Sequence, residues 1–381
     1  MKKVTLLLMG IINVIGIGLV SPVMTDFAAD FPTVSTTMVA MVVTMPAITL
    51  LLGLAVCAWL VNWVQRKHLL MLGVGCVVLG GILPAFLSNF ALILLARSVL
   101  GFGMGLGMPL QTTFFAEYPE DERAMLFGLN NGLGSIVSAG LLFLIALLQL
   151  AWRSAFLLYG LFSVVFICVI CFIPHDKEKT VAEQRKSGEK IKIQLPFSLI
   201  FGYIAVFFVY AQYFIIPTTI AFYVTDHQLG GVAEAGLISG LGTLAMAIAS
   251  LAFSFLRKWL KEWLTSVTLL VGAVFFVLYA FPVRLELIVI SYCVIAMFAA
   301  VFPITVSMKI TEALPETYIA VGSAIFTGVI FLGQFISPYY QAAVVRIIGG
   351  STELAYIVFG GITFLLAGIN VILMFKERNN L

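Results

Sequence analysis

Twelve stretches of mainly apolar residues follow one another along the chain, near 4–25, 37–60, 69–88, 91–114, 124–149, 153–174, 197–223, 231–255, 263–282, 285–308, 318–345 and 351–374. A membrane-crossing helix needs about 20 such residues, because each adds about 1.5 Å to a path of about 30 Å. In hydrocarbon every backbone polar group must find its partner inside the protein, so stretches of this length read as helices. Turn and charge signals separate them: Asp30-Phe31-Pro32, Arg66-Lys67-His68, Pro119-Glu120-Asp121, Gly230-Gly231 and Gly349-Gly350. Lys2 and Lys3 before the first stretch imitate a signal peptide, but its length and the stretches that follow favour a retained helix. Composition agrees. The chain is 62% hydrophobic and 10% charged, against about 45–50% and 25% in soluble domains. That excludes a soluble enzyme, a nucleic-acid-binding domain, a secreted disulfide scaffold and a disordered chain. The expected fold is an all-α membrane protein of twelve transmembrane helices.

Lysine and arginine favour cytoplasmic loops. With the N-terminus inside, seventeen basic residues fall inside and three, Arg153, Arg284 and Arg346, outside, while Arg97 falls within a span. Both termini are therefore expected in the cytoplasm of a cell inner membrane protein. The net charge of +3 is a topology signal and no nucleic-acid partner is expected. The five cysteines fall inside spans. Cys168 and Cys171 form a C-x-x-C without a nearby histidine and read as small buried hydrophobes, not as a metal or redox site.

The one long polar stretch, 175–196, separates two sets of six spans, giving expected halves 1–174 and 197–381 around a cytoplasmic linker. The halves rhyme. Span 4 ends in Glu117-Tyr118-Pro119-Glu120 and span 10 in Glu312-Ala313-Leu314-Pro315-Glu316, while Arg66-Lys67 and Arg257-Lys258 occupy equivalent loops. Six-plus-six repeats suit a secondary transporter whose substrate site lies between the halves.

Several segments resemble the major facilitator superfamily over essentially the whole length. Ser21-Pro22-Val23-Met24-Thr25-Asp26 through Pro32 is similar to the end of the first helix in its drug and metabolite exporters. Ala58-Trp59-Leu60-Val61-Asn62-Trp63-Val64-Gln65-Arg66-Lys67 sits where the family keeps G-x-L-a-D-r-x-G-R-K, with only Leu60, Arg66 and Lys67 matching. Arg97-Ser98-Val99-Leu100-Gly101-Phe102-Gly103-Met104-Gly105 resembles the fourth-helix pattern R-x-x-x-G-x-G-x-G. Ala151-Trp152-Arg153-Ser154-Ala155-Phe156 and Gly333 through Pro338 are similar to two further family marks. The Gly-Pro pair usual in helix 5 of proton-exchanging exporters is missing; that helix reads Gly128-Leu129-Asn130-Asn131-Gly132. The resemblance implies two pseudo-symmetric six-helix bundles, the major facilitator fold, alternating access and proton-linked efflux of hydrophobic or amphipathic compounds. Uptake or facilitated diffusion of a specific neutral or anionic metabolite is the alternative.

Arg97 is the sharpest residue in the spans. It lies roughly 9 Å below the outer end of span 4, where an arginine needs a partner or water. Two readings stay open: substrate attraction or proton relay from a cavity-facing stripe of Arg97, Gly101, Met104, Met108 and Gln111, or an anchor reaching Asp26 or Asp30. Gly101, Gly103, Gly105 and Gly107 read as close helix packing. No phosphate-binding G-x-x-x-x-G-K occurs, so ATP is not the expected energy source. Span 7 offers Tyr203, Tyr210 and Phe214 on one face and Gln212 on the other, suited to an amphipathic or planar substrate or to aromatic packing. Asn13 and Gln334 complete the candidate cavity. The span map leaves no Asp or Glu near the bilayer centre, so Asp26, within reach of Arg97, is the candidate proton-coupling carboxylate. Arg66, Lys67, Glu117 and Glu312 are candidate cytoplasmic gate residues. No cofactor or metal is expected, and the partners are a small-molecule substrate, the lipid bilayer and protons, with a monomer as the default. A membrane-embedded enzyme would need a nucleophile with a base or a metal with ligands, and no H-E-x-x-H or mid-span histidine is present. A non-transporting sensor would want a larger soluble domain.

Overall fold

The computed structural model describes residues 1–61, 63–115, 117–174, 197–281, 283–314 and 316–379, and within its helices a number of side chains, those of Asn13 and Glu312 among them, lie outside the description. The expected linker, 175–196, also lies outside the described residues. The described residues form helices and connecting turns, and no strand.

The first span is not one helix. α1 covers Lys2–Ile15, a turn region follows, Ser21–Val23 makes a single 3₁₀ turn, and α2 covers Met24–Asp30. Gly16, Gly18 and Pro22 explain the departure from the continuous helix expected over 4–25: two residues weaken the helix and a third cannot donate to it. α3 is Thr36–Leu60, α4 is Arg66–Ile82, α5 is Phe90–Phe115 and α6 is Glu120–Leu148. The sixth span is also segmented, as α7 (Trp152–Leu157), a 3₁₀ turn, and α8 (Phe162–Phe172). The seventh divides into α9 (Phe197–Tyr213) and α10 (Ile215–Asp226). Pro217, two residues into α10, has no N–H for the carbonyl of Tyr213, and the helix interrupts there. α11 (Val232–Leu260), α12 (Leu264–Tyr279), α13 (Leu285–Ala313), α14 (Glu316–Ile348) and α15 (Thr352–Asn379) complete the chain.

The described residues form two compact units: those within Met1–Ile17, Met45–Gly134 and Arg153–Leu195, and those within Gly18–Thr44, Ser135–Trp152 and Pro196–Leu381. One crossing between them falls in the break of the first span. Two others fall beside Pro46 of α3 and at Gly134 of α6.

In the first unit α5 packs against α4, and α8 packs on α4 and α1. The glycine run of α5 makes this possible. A Cβ at Gly101 would run into the Pro46 carbonyl, and one at Gly105 into the Leu50 carbonyl, both on α3. Gly103 instead faces the Gly73 carbonyl of α4. Alternate glycines thus serve two neighbours. Lipid tails are as apolar as leucine, so such close backbone contact is what binds membrane helices together.

In the second unit α11 packs on α13, α12 on α15 and α13, and α9 on α14 and α13. The 3₁₀ turn Ser21–Val23 packs on α10 and α11, and α2 on α10. Phe143 and Ala146 of α6 lie where side chains at Gly240 and Gly236 of α11 would be.

The cysteines are all free. Cys57 is buried, but Cys171 is exposed on its helix, so the expectation of buried cysteines fails there; an apolar helix surface holds a small thiol equally well in lipid.

Candidate functional site

The break in the first span sets the chemistry of the first unit. Interrupting a helix in hydrocarbon strands carbonyl groups, each of which costs several kcal/mol if left bare. Local turns take up some: Ser21 N–H donates to Gly18 O, and Val23 N–H to Val20 O, both at 3.1 Å. The Ile17 carbonyl accepts from Arg97 Nη2 at 2.8 Å. The Gly16 carbonyl accepts from the Tyr159 hydroxyl at 2.9 Å, and that hydroxyl in turn accepts from Arg97 Nη1 at 2.9 Å. The guanidinium also lies over the rings of Phe156 and Tyr159, at 5.8 and 5.4 Å. Arg97, Phe156 and Tyr159 are all fully buried.

Arg97 is therefore walled in by protein, not lining an open cavity. Of its two anchoring candidates, Asp26 is exposed, and Asp30 Oδ2 accepts from Trp152 Nε1 at 2.8 Å. The anchor is backbone and tyrosine, which sequence spacing could not reveal: Tyr159 lies 62 residues after Arg97 and Gly16 81 before it.

Further along the same stripe, Met104 is buried and Met108 half-buried. Gln111 is buried and uses both amide hydrogens, to Leu6 O at 2.5 Å and to Asn130 Oδ1 at 2.7 Å. This ties α5 to α1 and α6.

In the second unit, Gln212 is fully buried. Its Oε1 accepts from Thr363 Oγ1 at 2.7 Å, and its Nε2 reaches the Tyr340 hydroxyl at 3.5 Å. Half-buried Tyr203 donates to Gly322 O at 3.2 Å and half-buried Tyr210 to Ala299 O at 3.4 Å. The Tyr210 and Phe214 rings sit 5.7 Å apart, and Phe214 is also half-buried. Gln334 is buried on α14, one residue beyond Gly333, whose bare backbone lets α14 approach Phe207 and Tyr210 of α9. Four of the five candidate residues thus lie on α9 and α14, which pack together, and Phe214 lies in the turn between α9 and α10.

The gate candidates of the first unit meet directly. Glu117, just past α5, accepts from Arg66 Nη2 at 2.7 Å and from Lys2 Nζ at 2.6 Å. Both cations also lie over the Phe114 ring, at 4.6 and 5.1 Å. Burial alone would raise the Glu117 carboxyl, but the hydrogen bonds and charges of Lys2 and Arg66 outweigh it and hold the group below its ordinary range. Lys3 pairs with Glu122 beside it. Lys67 is buried near the start of α4. Lys2 is a partner the sequence pattern missed, because a basic N-terminus reads only as a topology signal.

Among the described residues no Asp or Glu side chain is buried, and none of the His, Cys, Asp and Glu residues form a metal-binding group. The buried polar groups are amides, hydroxyls, Lys67 and Arg97.

Ten helical stretches among the described residues are long and apolar enough to cross a membrane, and Gly132–Leu148 is a shorter apolar one. With the broken first span they make the twelve-helix all-α fold, so this is a multi-pass integral membrane protein. The family profile of the Major Facilitator Superfamily matches residues 6–338, and the chain belongs to that superfamily; it is a transporter and not an enzyme. Solved structures share the fold. A D-xylose-proton symporter is similar at 15% identity and a TM-score of 0.76, over 96% of each chain. The nucleoside transporter NupG is similar at 14% identity and a TM-score of 0.75, over 98% of this chain and 99% of that one. A peptide transporter POT, solved with sulfate, is similar at 12% identity and a TM-score of 0.77, over 98% and 94%. A comparison with curated protein sequences finds no match.

Proposed function

We propose that the protein is a secondary active transporter of small organic molecules, working by alternating access and exporting hydrophobic or amphipathic compounds in exchange for protons. The observation that carries the substrate class is that, Lys67 and Arg97 apart, the buried polar groups among the described residues are amides and hydroxyls, with aromatic rings beside them. Within the second unit Tyr203, Tyr210, Gln212, Phe214 and Gln334 supply rings and amides; within the first, Met104, Met108 and Gln111 supply thioethers and an amide, and Asn13 stays a candidate from the sequence alone. Such walls suit uncharged or amphipathic ligands. Arg97 serves the site by holding the broken first helix, as discontinuous helices do near transporter binding sites. The seventeen-to-three bias of basic residues supports cytoplasmic termini in an inner membrane, with Arg66, Lys67, Glu117 and Glu312 at a cytoplasmic gate. Asp26 is the proposed proton carrier, and the working unit is a monomer.

A second reading is uptake or facilitated diffusion of a specific neutral or anionic metabolite. It is favoured by the lack of a buried Asp or Glu among the described residues, since proton coupling commonly uses a carboxylate of raised pKa. The similar folds include a xylose-proton symporter and transporters of nucleosides and peptides.

Dye efflux from energised bacterial cells separates the two. Cells expressing wild type, Asp26→Asn or Arg97→Ala are loaded with ethidium and given glucose, with and without a protonophore. Export predicts faster efflux than empty vector, abolished by the protonophore and lost in Asp26→Asn. Efflux equal to empty vector, with the protein correctly in the membrane, rejects broad export and directs the search to metabolite uptake.

A further inference from the structure

The second unit holds a cavity of about 410 Å³ where α10 ends and α15 begins, at the outer side if the termini are cytoplasmic. Its wall includes Thr36 of α3, Tyr223, Asp226 and His227 of α10 and its cap, Gln341 of α14, and Glu353 of α15. Neither the substrate reading nor the gate uses this place.

His227 ties two of these elements. Its Nδ1 lies 2.8 Å from the Tyr223 carbonyl and its Nε2 lies 2.8 Å from Glu353 Oε1. A carbonyl oxygen only accepts, so Nδ1 must carry its hydrogen. A neutral imidazole then presents a bare lone pair at Nε2. That lone pair faces a carboxylate oxygen, and the contact holds only if one proton sits between them, on the ring or on the carboxyl. Removing the proton sets lone pair against anion. The surroundings reinforce this. His227 caps the C-terminal end of α10, where a cation is favoured, and Glu353 lies in the first turn of α15, where an anion is favoured.

We propose that His227 and Glu353 form a proton-operated latch. With its proton, the latch ties the end of α10 to the start of α15 and closes that wall of the cavity. Without it, Glu353 and neighbouring Asp226 repel, and the two helix ends part. The other titratable groups near the pair are tyrosines: Tyr223 of α10, whose ring packs on His227 at 4.4 Å, Tyr279 of α12 and Tyr356 of α15. Tyrosines stay neutral from acid to mildly alkaline pH. The cavity-lining residues of α3 and α14 carry no charge. The latch is therefore closed at acid pH and open at alkaline pH.

Hydrogen–deuterium exchange of the full chain in lipid nanodiscs, at pH 5.5 and 8.5 and corrected for intrinsic exchange, tests this. In wild type, protection of residues 219–229 and 349–357 should fall about tenfold at the higher pH, the factor corresponding to about 1.4 kcal/mol. Glu353→Gln offers an amide that donates to neutral His227 and accepts from charged His227, so protection should stay high at both values. His227→Gln cannot reach both partners, so protection should be low at both. Exchange in α4 and α5 reports folding. Equal corrected protection of wild type at the two values overturns the proposal, as does a pH dependence that survives in Glu353→Gln. Should His227→Gln not fold, Glu353→Gln alone decides.

Discussion

Arg97 and Tyr159, 62 positions apart, act as one hydrogen-bonded unit: the guanidinium donates to the phenol at 2.9 Å, and the phenol donates onward to the Gly16 carbonyl. With the bond from Arg97 to Ile17 O, the pair replaces the donors that a continuous first helix would have supplied. The buried charge and the broken helix explain each other. A guanidinium has five donors in a fixed fork, and here one goes directly to a carbonyl at the helix break while another serves the second carbonyl through the Tyr159 hydroxyl.

Tyr159→Phe removes one hydroxyl and leaves the Gly16 carbonyl and one guanidinium hydrogen wanting. It should destabilise the protein by about 1–3 kcal/mol. Arg97→Ala should do more, about 3–5 kcal/mol, because both carbonyl routes and a buried side chain go. Arg97→Lys should fall between them, since an ammonium keeps the charge but not the fork. Thermal unfolding of the purified proteins in detergent ranks the three. If Tyr159→Phe melts with wild type, the hydroxyl is not a structural donor.

The glycines of α5 differ sharply from others in the chain. Gly105→Val would force a branched side chain into the Leu50 carbonyl of α3 and should abolish folded yield. Gly361→Ala on α15, where a Cβ meets nothing within 4 Å, should be tolerated and gain up to about 1 kcal/mol of helix propensity. Size-exclusion profiles of the two variants check this, and a monodisperse Gly105→Val would refute the close-packing account.

How far the sequence reveals this molecule depends on the range of the signal. Span positions are legible because twenty apolar residues in a row admit few structures in lipid. The breaks near Gly16 and before Ile215 are not, because membrane helices often keep Gly and Pro without breaking, their freed backbone groups being satisfied by neighbours. Arg97 stands out because a charge in hydrocarbon needs a reason, but the reason, Tyr159 and two carbonyls, is tertiary. Glu117 and Arg66 are suggested by their places at the span ends. Lys2 is not, and neither is Thr363 as the partner of Gln212, since a lone threonine in an apolar helix ordinarily bonds its own backbone.

Thr363 and Gln212 form a buried pair, both fully inaccessible, joined at 2.7 Å. Thr363→Val keeps the shape and removes the donor, so the Gln212 carbonyl oxygen loses it and stability should drop by about 1–3 kcal/mol. Thr363→Ser should recover most of that. Should valine and serine variants melt alike, the loss comes from packing and the hydrogen bond contributes nothing measurable.

Glu117 gathers Lys2, the first residue of α1, and Arg66, the first of α4, at the end of α5. Glu117→Gln removes both ion pairs at once, whereas Arg66→Ala or Lys2→Ala removes one, so the glutamine variant should lose more stability than either. The loss should stay below about 1 kcal/mol per pair, because the groups are partly exposed and screened. The pH dependence has a definite sign. The folded carboxyl lies below its unfolded value of 4.5, so its contribution is fully present above that value and is lost as pH falls through the lower, folded one. Melting temperatures of wild type and Glu117→Gln should therefore differ at neutral pH and converge on acidification below pH 4.5. A constant gap down to the lowest pH at which the protein stays folded would mean that the ion pairs are not the source of the difference.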